Sequence, residues 1–270
     1  NITPDHLDRY LDFSHYEKQK YRIFQLRSKA LNHCFIFADQ CNYANHQDDV
    51  SSKNQLVSLT VDARPEDFFI QNNEIQGRGI TIPIRDDVAR QIGHKQNLVA
   101  AVALAYNLGV SQAEIIKALP SFKALEHRLE LVAEYKNLRI FNDSKATNAE
   151  STKNALESFD NIFWLAGGIA KAKGVVELES CFKKIKKVFL FGQAQNLFAE
   201  QVGDKAIWEK YSDMDQATLA AFSAALEEDK TVNLILSPAC SSFDMFDNYA
   251  QRGRVFKKII KDLIAKNADC

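Results

Sequence analysis

Short apolar runs that alternate with helical segments from Phe122 onward constrain the fold of this chain most strongly. "NIFWLAGG", "KVFLFG" and "TVNLILSP" are apolar along most of their length, and segments of helical character such as "QNLFAEQV" and "MDQATLAAFSAALEE" separate them. An unbroken apolar run of this length is typical of a strand that is buried on both faces of a parallel sheet. The alternation therefore predicts a Rossmann-like, doubly wound α/β domain over residues 122–270.

The first part of the chain has a different, mixed pattern. "HYEKQKYRIF" is typical of a helix, "CFIFAD" and "GITIPI" of short strands, and "NLVAAVALAYNLG" of a helix rich in small residues. A chain of 270 residues is long enough for two ordinary domains. We therefore predict a separate α/β domain over residues 1–121.

Composition limits the partners and the compartment. The formal net charge is −1, so no overall field favours nucleic acid or an anionic membrane surface. No apolar run approaches the roughly 20 residues needed to cross a bilayer. The five cysteines are scattered and form no C-x-x-C pair, which indicates a reduced, cytoplasmic setting. The start "NITPDHLDRY" has no signal peptide pattern, and a polar motif directly after Asn1 indicates that an N-terminal part is missing.

Four polar loops follow the predicted strands: "NDSKATN", "AGGIAKAKG", "FGQAQ" and "SPACSSFD". Ligands of doubly wound sheets bind beyond the carboxyl ends of the strands, so these loops are the candidates for a site. The last loop contains two adjacent serines, Ser241 and Ser242. The start of a helix needs only one hydroxyl as a cap, so a cap alone does not account for both.

The loop "FNDSKATNAES" places Asp143, Lys145 and Thr147 between a strand and a helix. Amides at a helix N-terminus attract anions, and a lysine adds a full positive charge. The alternative is a polar capped turn, in which Thr147 and Glu150 form a capping box. The residues alone leave both interpretations open.

The loop "GGIAKAKG" has glycines that let the backbone approach an anion, and Lys171 and Lys173 to bind one. It lacks the G-x-x-x-x-G-K-[ST] pattern of a P-loop, and a flexible surface turn is the alternative. In "TPDHLDRY", His6 lies among acidic residues and is either a metal ligand or a solvated side chain. Arg128 in "ALEHRLE" lies at the predicted domain junction, where it suits either a phosphate clamp or a salt bridge.

Taken in order, "NITPDHLDRY", "ALEHRLE", "FNDSKATN", "AGGIAKAKG" and "LSPACSSFDMFDNYAQRG" resemble the Mur ligases, and among them the branch that adds D-glutamate. The resemblance covers nearly the whole chain. It implies that residues 1–121 are the remainder of the central ATP-binding domain and that residues 122–270 are the C-terminal domain for the incoming amino acid. The family's P-loop and UDP-binding domain have no counterpart in this sequence, so we expect the chain alone to be inactive.

The resemblance also implies a reaction. ATP phosphorylates the carboxylate of UDP-N-acetylmuramoyl-L-alanine, and the amine of D-glutamate attacks the acyl phosphate to form an amide. A carboxylate is a poor electrophile and must first gain a leaving group. Mg²⁺ and cationic side chains offset the charge that develops in both transfers.

Individual residues match the family's functional positions. By resemblance, His6 and Lys20 are catalytic residues that hold Mg²⁺, with Lys20 carbamylated and Lys18 the alternative. Asn97, Arg128 and Asp143 match nucleotide-binding positions, and Lys145 is expected to face the reacting phosphate. The residues that match the D-glutamate site are Thr147, Lys171, Ser241, Ser242, Phe243 and Tyr249.

Two other functions remain open at this point. One is another amide ligase of the same superfamily, such as an enzyme that adds glutamate to folates. The other is a Rossmann-like binding module without catalysis. For the leading reading we expect a cytoplasmic monomer whose partners are UDP-N-acetylmuramoyl-L-alanine, D-glutamate and ATP, with no nucleic acid and no membrane.

Overall fold

The computed structural model describes residue 2 and residues 9–24, 33–37, 55–60, 67–84, 95–121, 125–171 and 173–268. The chain divides into two compact units, Asn1–Phe122 and Lys123–Cys270. The predicted boundary between residues 121 and 122 is one residue away from this division. What each unit binds stays a prediction.

In its described ranges, the N-terminal unit combines two small sheets with helices. Its helices are α1 (Phe13–Tyr21), α2 (Lys95–Asn107) and α3 (Gln112–Ala118). Strands β1 (His33–Phe37) and β2 (Gln55–Leu59) pair in parallel. Strands β3 (Phe69–Gln71), β4 (Glu74–Gly77) and β5 (Ile80–Pro83) form an antiparallel meander. Val57, Leu59, Ile75, Ile82 and Val99 are fully buried in one core between these elements.

The C-terminal unit is built on a six-stranded sheet in the order β11-β10-β8-β12-β7-β6. Its main strands are β6 (Glu130–Tyr135), β7 (Leu138–Asn142), β8 (Ile162–Gly167), β10 (Ile185–Phe191), β11 (Ile207–Lys210) and β12 (Val232–Leu236). Only β6 runs antiparallel to its neighbour. The helices are α4 (Ala149–Glu157), α5 (Gln195–Val202), α6 (Met214–Leu226) and α7 (Tyr249–Ala268).

Helices cover both faces of this sheet, which explains the apolar runs. Along β8, Trp164 packs into a core with α4 and α5, whereas its neighbours Phe163 and Leu165 pack into a second core with α6 and α7. Every residue of β8 is therefore buried. The predicted doubly wound, mostly parallel α/β fold is confirmed.

One local prediction was wrong. Helix α4 is capped by the Asn148 side chain, which accepts a hydrogen bond from the Ser151 amide, and not by Thr147. The segment Val176–Lys184 forms a 3-10 helix. None of the helices in the described ranges has the length and apolar character to span a membrane.

Candidate functional site

Three polar loops meet at one edge of the C-terminal sheet. Strand β12 lies between β7 and β8 and is parallel to both, so the carboxyl ends of the three strands point the same way. A short antiparallel pair, β9 (Ile169–Ala170) with β13 (Cys240–Ser241), ties the loop after β8 to the loop after β12. The predicted site residues of these loops are therefore brought to the same edge of the sheet.

Asp143, directly after β7, is almost fully buried and anchors the site. One carboxylate oxygen accepts a hydrogen bond from the Leu129 amide at 3.1 Å, and the other from the Ser237 hydroxyl at 2.8 Å. Burial raises the pKa of Asp143 to about 7, although both hydrogen bonds and the charges of Arg128 and Arg252 oppose this rise. Asp143 therefore links the start of the unit to the end of β12.

His127 is buried beneath the same loop. Asn142 donates to the His127 Nδ1 at 2.9 Å, so that this nitrogen carries no proton. Burial is the main cause that lowers the pKa of His127, and it therefore favours the neutral imidazole. The backbone carbonyl of His127 accepts from the Lys145 amide at 3.0 Å. His127 thus supports the Lys145 backbone from inside the unit.

Lys145 lies over an aromatic ring. Its Nζ is 4.2 Å from the centroid of the Tyr249 ring, a cation–π contact. The Ser144 hydroxyl donates to the Tyr249 carbonyl at 2.8 Å, so the loop after β7 is also joined to the start of α7. The lysine side chain is half-buried and held beside the strand ends.

Thr147 and Lys171 are both half-buried in the loops after β7 and β8. Because Asn148 caps α4, Thr147 has no capping role. The Lys171 carbonyl accepts from the Gly174 amide at 2.8 Å, which closes a turn at this loop. Lys173, on the same loop, is exposed and forms a surface ion pair with Glu177 at 2.9 Å.

The serine pair opens a tight turn after β12. Ser241 donates from its hydroxyl to the Ile169 carbonyl at 3.3 Å. Ser242 is buried, and its carbonyl accepts from the Met245 and Phe246 amides. Phe243, the residue after Ser242, is 70% exposed. This exposure is unusual for a large apolar residue and leaves its ring available for contact.

Arg252 also belongs to this cluster, although it is not among the predicted site residues. It lies in the first turns of α7, is fully buried, and donates to Ser144 and Cys240. A detectable signal was present: Arg252 is four residues before Phe256 and eight before Ile260, so it lies on the buried apolar stripe of its helix. A charged residue on such a stripe requires internal partners.

The predicted nucleotide residues have contrasting surroundings. Arg128 is exposed, so its guanidinium is accessible to an anion. Its charge opposes the rise in the pKa of Asp143. Asp143 is buried with both oxygens engaged, so a nucleotide would have to share oxygens that already accept hydrogen bonds. In the N-terminal unit, Asn97 is exposed in the first turn of α2.

The predicted metal residues are only partly within the described ranges. His6 lies outside them. Lys20 is exposed on α1, with Nζ 5.1 Å from the Tyr16 ring centroid, and the alternative Lys18 is exposed on the same helix. Within the described parts of the chain, no three His, Cys, Asp or Glu side chains group so as to hold a metal ion.

Comparison with known sequences gives a consistent result. Residues 127–237 match the family model described as Mur ligase, glutamate ligase domain. The chain is 36% identical over 269 residues to the UDP-N-acetylmuramoylalanine–D-glutamate ligase of Agrobacterium fabrum, covering 95% of this chain and 56% of that protein. The Rickettsia felis protein of the same name is 32% identical over 268 residues, covering 97% and 59%. The chain thus spans less than two thirds of these relatives.

Solved structures share the fold at low sequence identity. The UDP-N-acetylmuramate-alanine ligase of Thermotoga maritima gives a TM-score of 0.61 at 13% identity, covering 97% of this chain and 58% of that one. The bifunctional folylpolyglutamate synthase/dihydrofolate synthase of Yersinia pestis gives 0.65 at 16% identity, covering 96% and 60%. At these identities the likeness concerns the fold alone.

Proposed function

Because residues 127–237 match the family model described as Mur ligase, glutamate ligase domain, we propose that the protein containing this chain joins D-glutamate to UDP-N-acetylmuramoyl-L-alanine at the expense of ATP. The product is a precursor of the peptidoglycan cell wall. The meeting of three cation- and hydroxyl-bearing loops at one sheet edge is the observation that carries this proposal. The names of the sequence relatives favour D-glutamate as the amino acid.

D-Glutamate suits this edge because it brings two carboxylates and one reactive amine. Lys171 and Thr147 would hold the α-carboxylate, since a lysine and a hydroxyl can donate charge-assisted hydrogen bonds to it. Ser241 and Ser242 would meet the side-chain carboxylate with hydroxyl and amide groups. Phe243 would cover the aliphatic part. The amine then stays free and aimed at the acyl group.

Lys145 would stabilise the charge on the transferring phosphoryl group. Its backbone is held by His127, and its side chain lies over Tyr249, so its position is set before substrates arrive. A cation that is already in place stabilises developing negative charge without costly reorganisation.

ATP and Mg²⁺ are the cofactors that this reaction requires. We propose Arg128 and Asn97, each exposed within its own unit, as nucleotide-binding residues, whereas Asp143 would contribute mainly by fixing its loop. His6 and a carbamylated Lys20 would hold Mg²⁺, because carbamylation replaces the ammonium with oxygen ligands that a hard cation prefers. Bound Mg²⁺ would neutralise phosphate charge. We further propose that the protein acts as a monomer in the cytoplasm.

The proposal is tested first by binding. Titration of the ¹⁵N-labelled 270-residue chain with D-glutamate should shift the amides of Thr147, Lys171 and Ser242, and L-glutamate should shift them far less. Lys171→Ala should weaken D-glutamate binding well over tenfold, because losing one partner of a charge-assisted contact costs about 2–5 kcal/mol. Lys173→Ala removes an exposed lysine from the same loop; it is the matched control and should stay within about twofold.

Two results would contradict the proposal. Equal shifts with both enantiomers would indicate unspecific anion binding. D-Glutamate affinity that is unchanged in Lys171→Ala would remove that lysine from the site. Ligation itself is measured as formation of the D-glutamyl product in the whole protein that contains these residues.

A further inference from the structure

Arg252 is an unusual residue to find at the centre of this unit. Among the fully buried side chains of the described residues, only Trp164 is larger. Burying a guanidinium is costly unless its donors find acceptors, so its surroundings must be arranged to receive it. Burial is also the main cause that lowers the pKa of Arg252 to about 10, which still leaves it charged at neutral pH.

The guanidinium joins two loops of the candidate site. Its Nε donates to the Ser144 hydroxyl at 2.9 Å, and its Nη2 donates to the Ser144 carbonyl at 2.8 Å. The same Nη2 donates to the Cys240 carbonyl at 3.1 Å. Ser144 precedes Lys145 in the loop after β7, and Cys240 precedes the serine pair in the loop after β12. One rigid, planar group therefore sets the spacing between these two loops.

The third loop approaches the same group through Gly168. A Cβ atom at this glycine would lie 3.3 Å from the Arg252 Nη1 and would collide with the Ser241 carbonyl. Gly168 also has a φ of +124°, in a region that residues with side chains rarely adopt. Arg252 Nη1 has no hydrogen-bond partner among the described residues, although it is buried. The loop after β8 therefore packs directly against the guanidinium.

We propose that Arg252 is a positioning residue for D-glutamate: it holds the loops after β7, β8 and β12 at the spacing that lets their side chains reach one amino acid. The proposal rests on the proposed function. Arg252 itself is sealed from solvent and acts through Ser144, Cys240 and the loop at Gly168. The competing explanation is that Arg252 only stabilises the core, in which case its loss would lower stability without a selective effect on D-glutamate.

The experiment compares three variants of the 270-residue chain by D-glutamate titration, well below their melting temperatures. Arg252→Met keeps much of the volume and removes every donor. Ser144→Ala removes one acceptor and leaves the guanidinium buried. Arg254→Met, an exposed arginine on the same helix, is the matched control. The amide shifts of Lys145 and Ser242 report the positions of the two loops separately from stability.

We expect Arg252→Met to weaken D-glutamate binding at least about tenfold and to displace the amide signals of Lys145 and Ser242, because the charge-assisted hydrogen bonds between the loops are lost. Ser144→Ala should be intermediate, and Arg254→Met should stay within about twofold of the wild type. If Arg252→Met does not fold, the D-glutamate affinities of Arg252→Lys and Ser144→Ala are compared with that of the wild type instead. Lysine keeps the charge but cannot bridge two loops, so Arg252→Lys should also bind more weakly.

Failure of this inference differs from failure of the proposed function. A wild type that binds D-glutamate, beside a folded Arg252→Met that binds within about twofold, overturns the positioning role and leaves the proposed function standing. A wild type that does not bind D-glutamate overturns the proposed function, and the positioning role with it.

Discussion

Asp143→Asn should change how the stability of the C-terminal unit depends on pH. Asp143 is almost fully buried, and burial raises its pKa from an ordinary 3.8 to about 7. The folded state therefore holds a proton on Asp143 over a pH range in which the unfolded chain has released it. Folding stability must fall as pH rises through this range, because the folded state must then bury a charge.

The size of the effect follows from the two pKa values of Asp143. A difference of one unit between the folded and unfolded pKa corresponds to about 1.4 kcal/mol. The full loss of folding stability therefore approaches about 4 kcal/mol at high pH. Between pH 5 and pH 8 the linkage relation gives a loss of about 2–3 kcal/mol from this residue. Asparagine keeps the shape, accepts from the Leu129 amide and donates to the Ser237 hydroxyl, but it does not titrate.

Urea unfolding followed by tryptophan fluorescence is a suitable assay. The chain has two tryptophans, Trp164 and Trp208, and both lie in the C-terminal unit, so the signal reports on that unit alone. The quantity of interest is the difference in unfolding free energy between Asp143→Asn and wild type at pH 5 and at pH 8. Titrations common to both proteins cancel in this difference. Asp262→Asn, an exposed carboxylate on α7, is the control and should show no such change.

We expect the difference in unfolding free energy between the two proteins to shift by about 2–3 kcal/mol in favour of Asp143→Asn between pH 5 and pH 8. Parallel pH profiles for the two proteins would refute the reasoning, because they would place the pKa of the buried Asp143 near its ordinary value. A shift in the opposite direction would mean that the folded unit favours the ionised carboxylate, as a dominant Arg128 or Arg252 interaction would require.

Three further outcomes are expected. Gly253→Ala should destabilise the C-terminal unit by about 1–3 kcal/mol in the same assay, because the new Cβ would overlap the buried His127 ring. Tyr249→Leu should weaken D-glutamate binding about two- to fivefold and Tyr249→Phe should not, because only the former removes the ring under Lys145. Lys20→Ala in the whole protein should abolish most ligation, with partial rescue by short-chain carboxylates; unchanged turnover would exclude Lys20 as a metal ligand.

The strands of the C-terminal unit could be predicted because burial on both faces leaves a local signature. Residues 162–167 are all buried, and the corresponding letters, "IFWLAG", are entirely apolar or small. Choices between neighbouring polar residues could not be predicted in the same way. Thr147 and Asn148 are both good caps, and only the extended backbone of Asn148, with φ −153° and ψ 167°, selects it.

The order of the strands in the sheet could not be predicted from any single segment of the sequence. Strand β12 inserts between β7 and β8, although both precede it in the chain by many residues. Motif resemblance grouped Thr147, Lys171 and Ser242 without explaining why their loops meet. The physical reason is this insertion, together with the short β9–β13 pair. Taken alone, each loop remains a polar turn.

Arg252 makes the spacing of these loops depend on the last helix of the chain. Its hydrogen bonds to Ser144 and Cys240 require that β12 is paired in the sheet and that α7 is packed against it. Gly253, the next residue, must lie flat against His127, which in turn holds the backbone of Lys145. The first turns of α7 therefore organise the loop after β7 from two sides. It follows that the arrangement of the candidate site depends on the packing of α7 against the sheet.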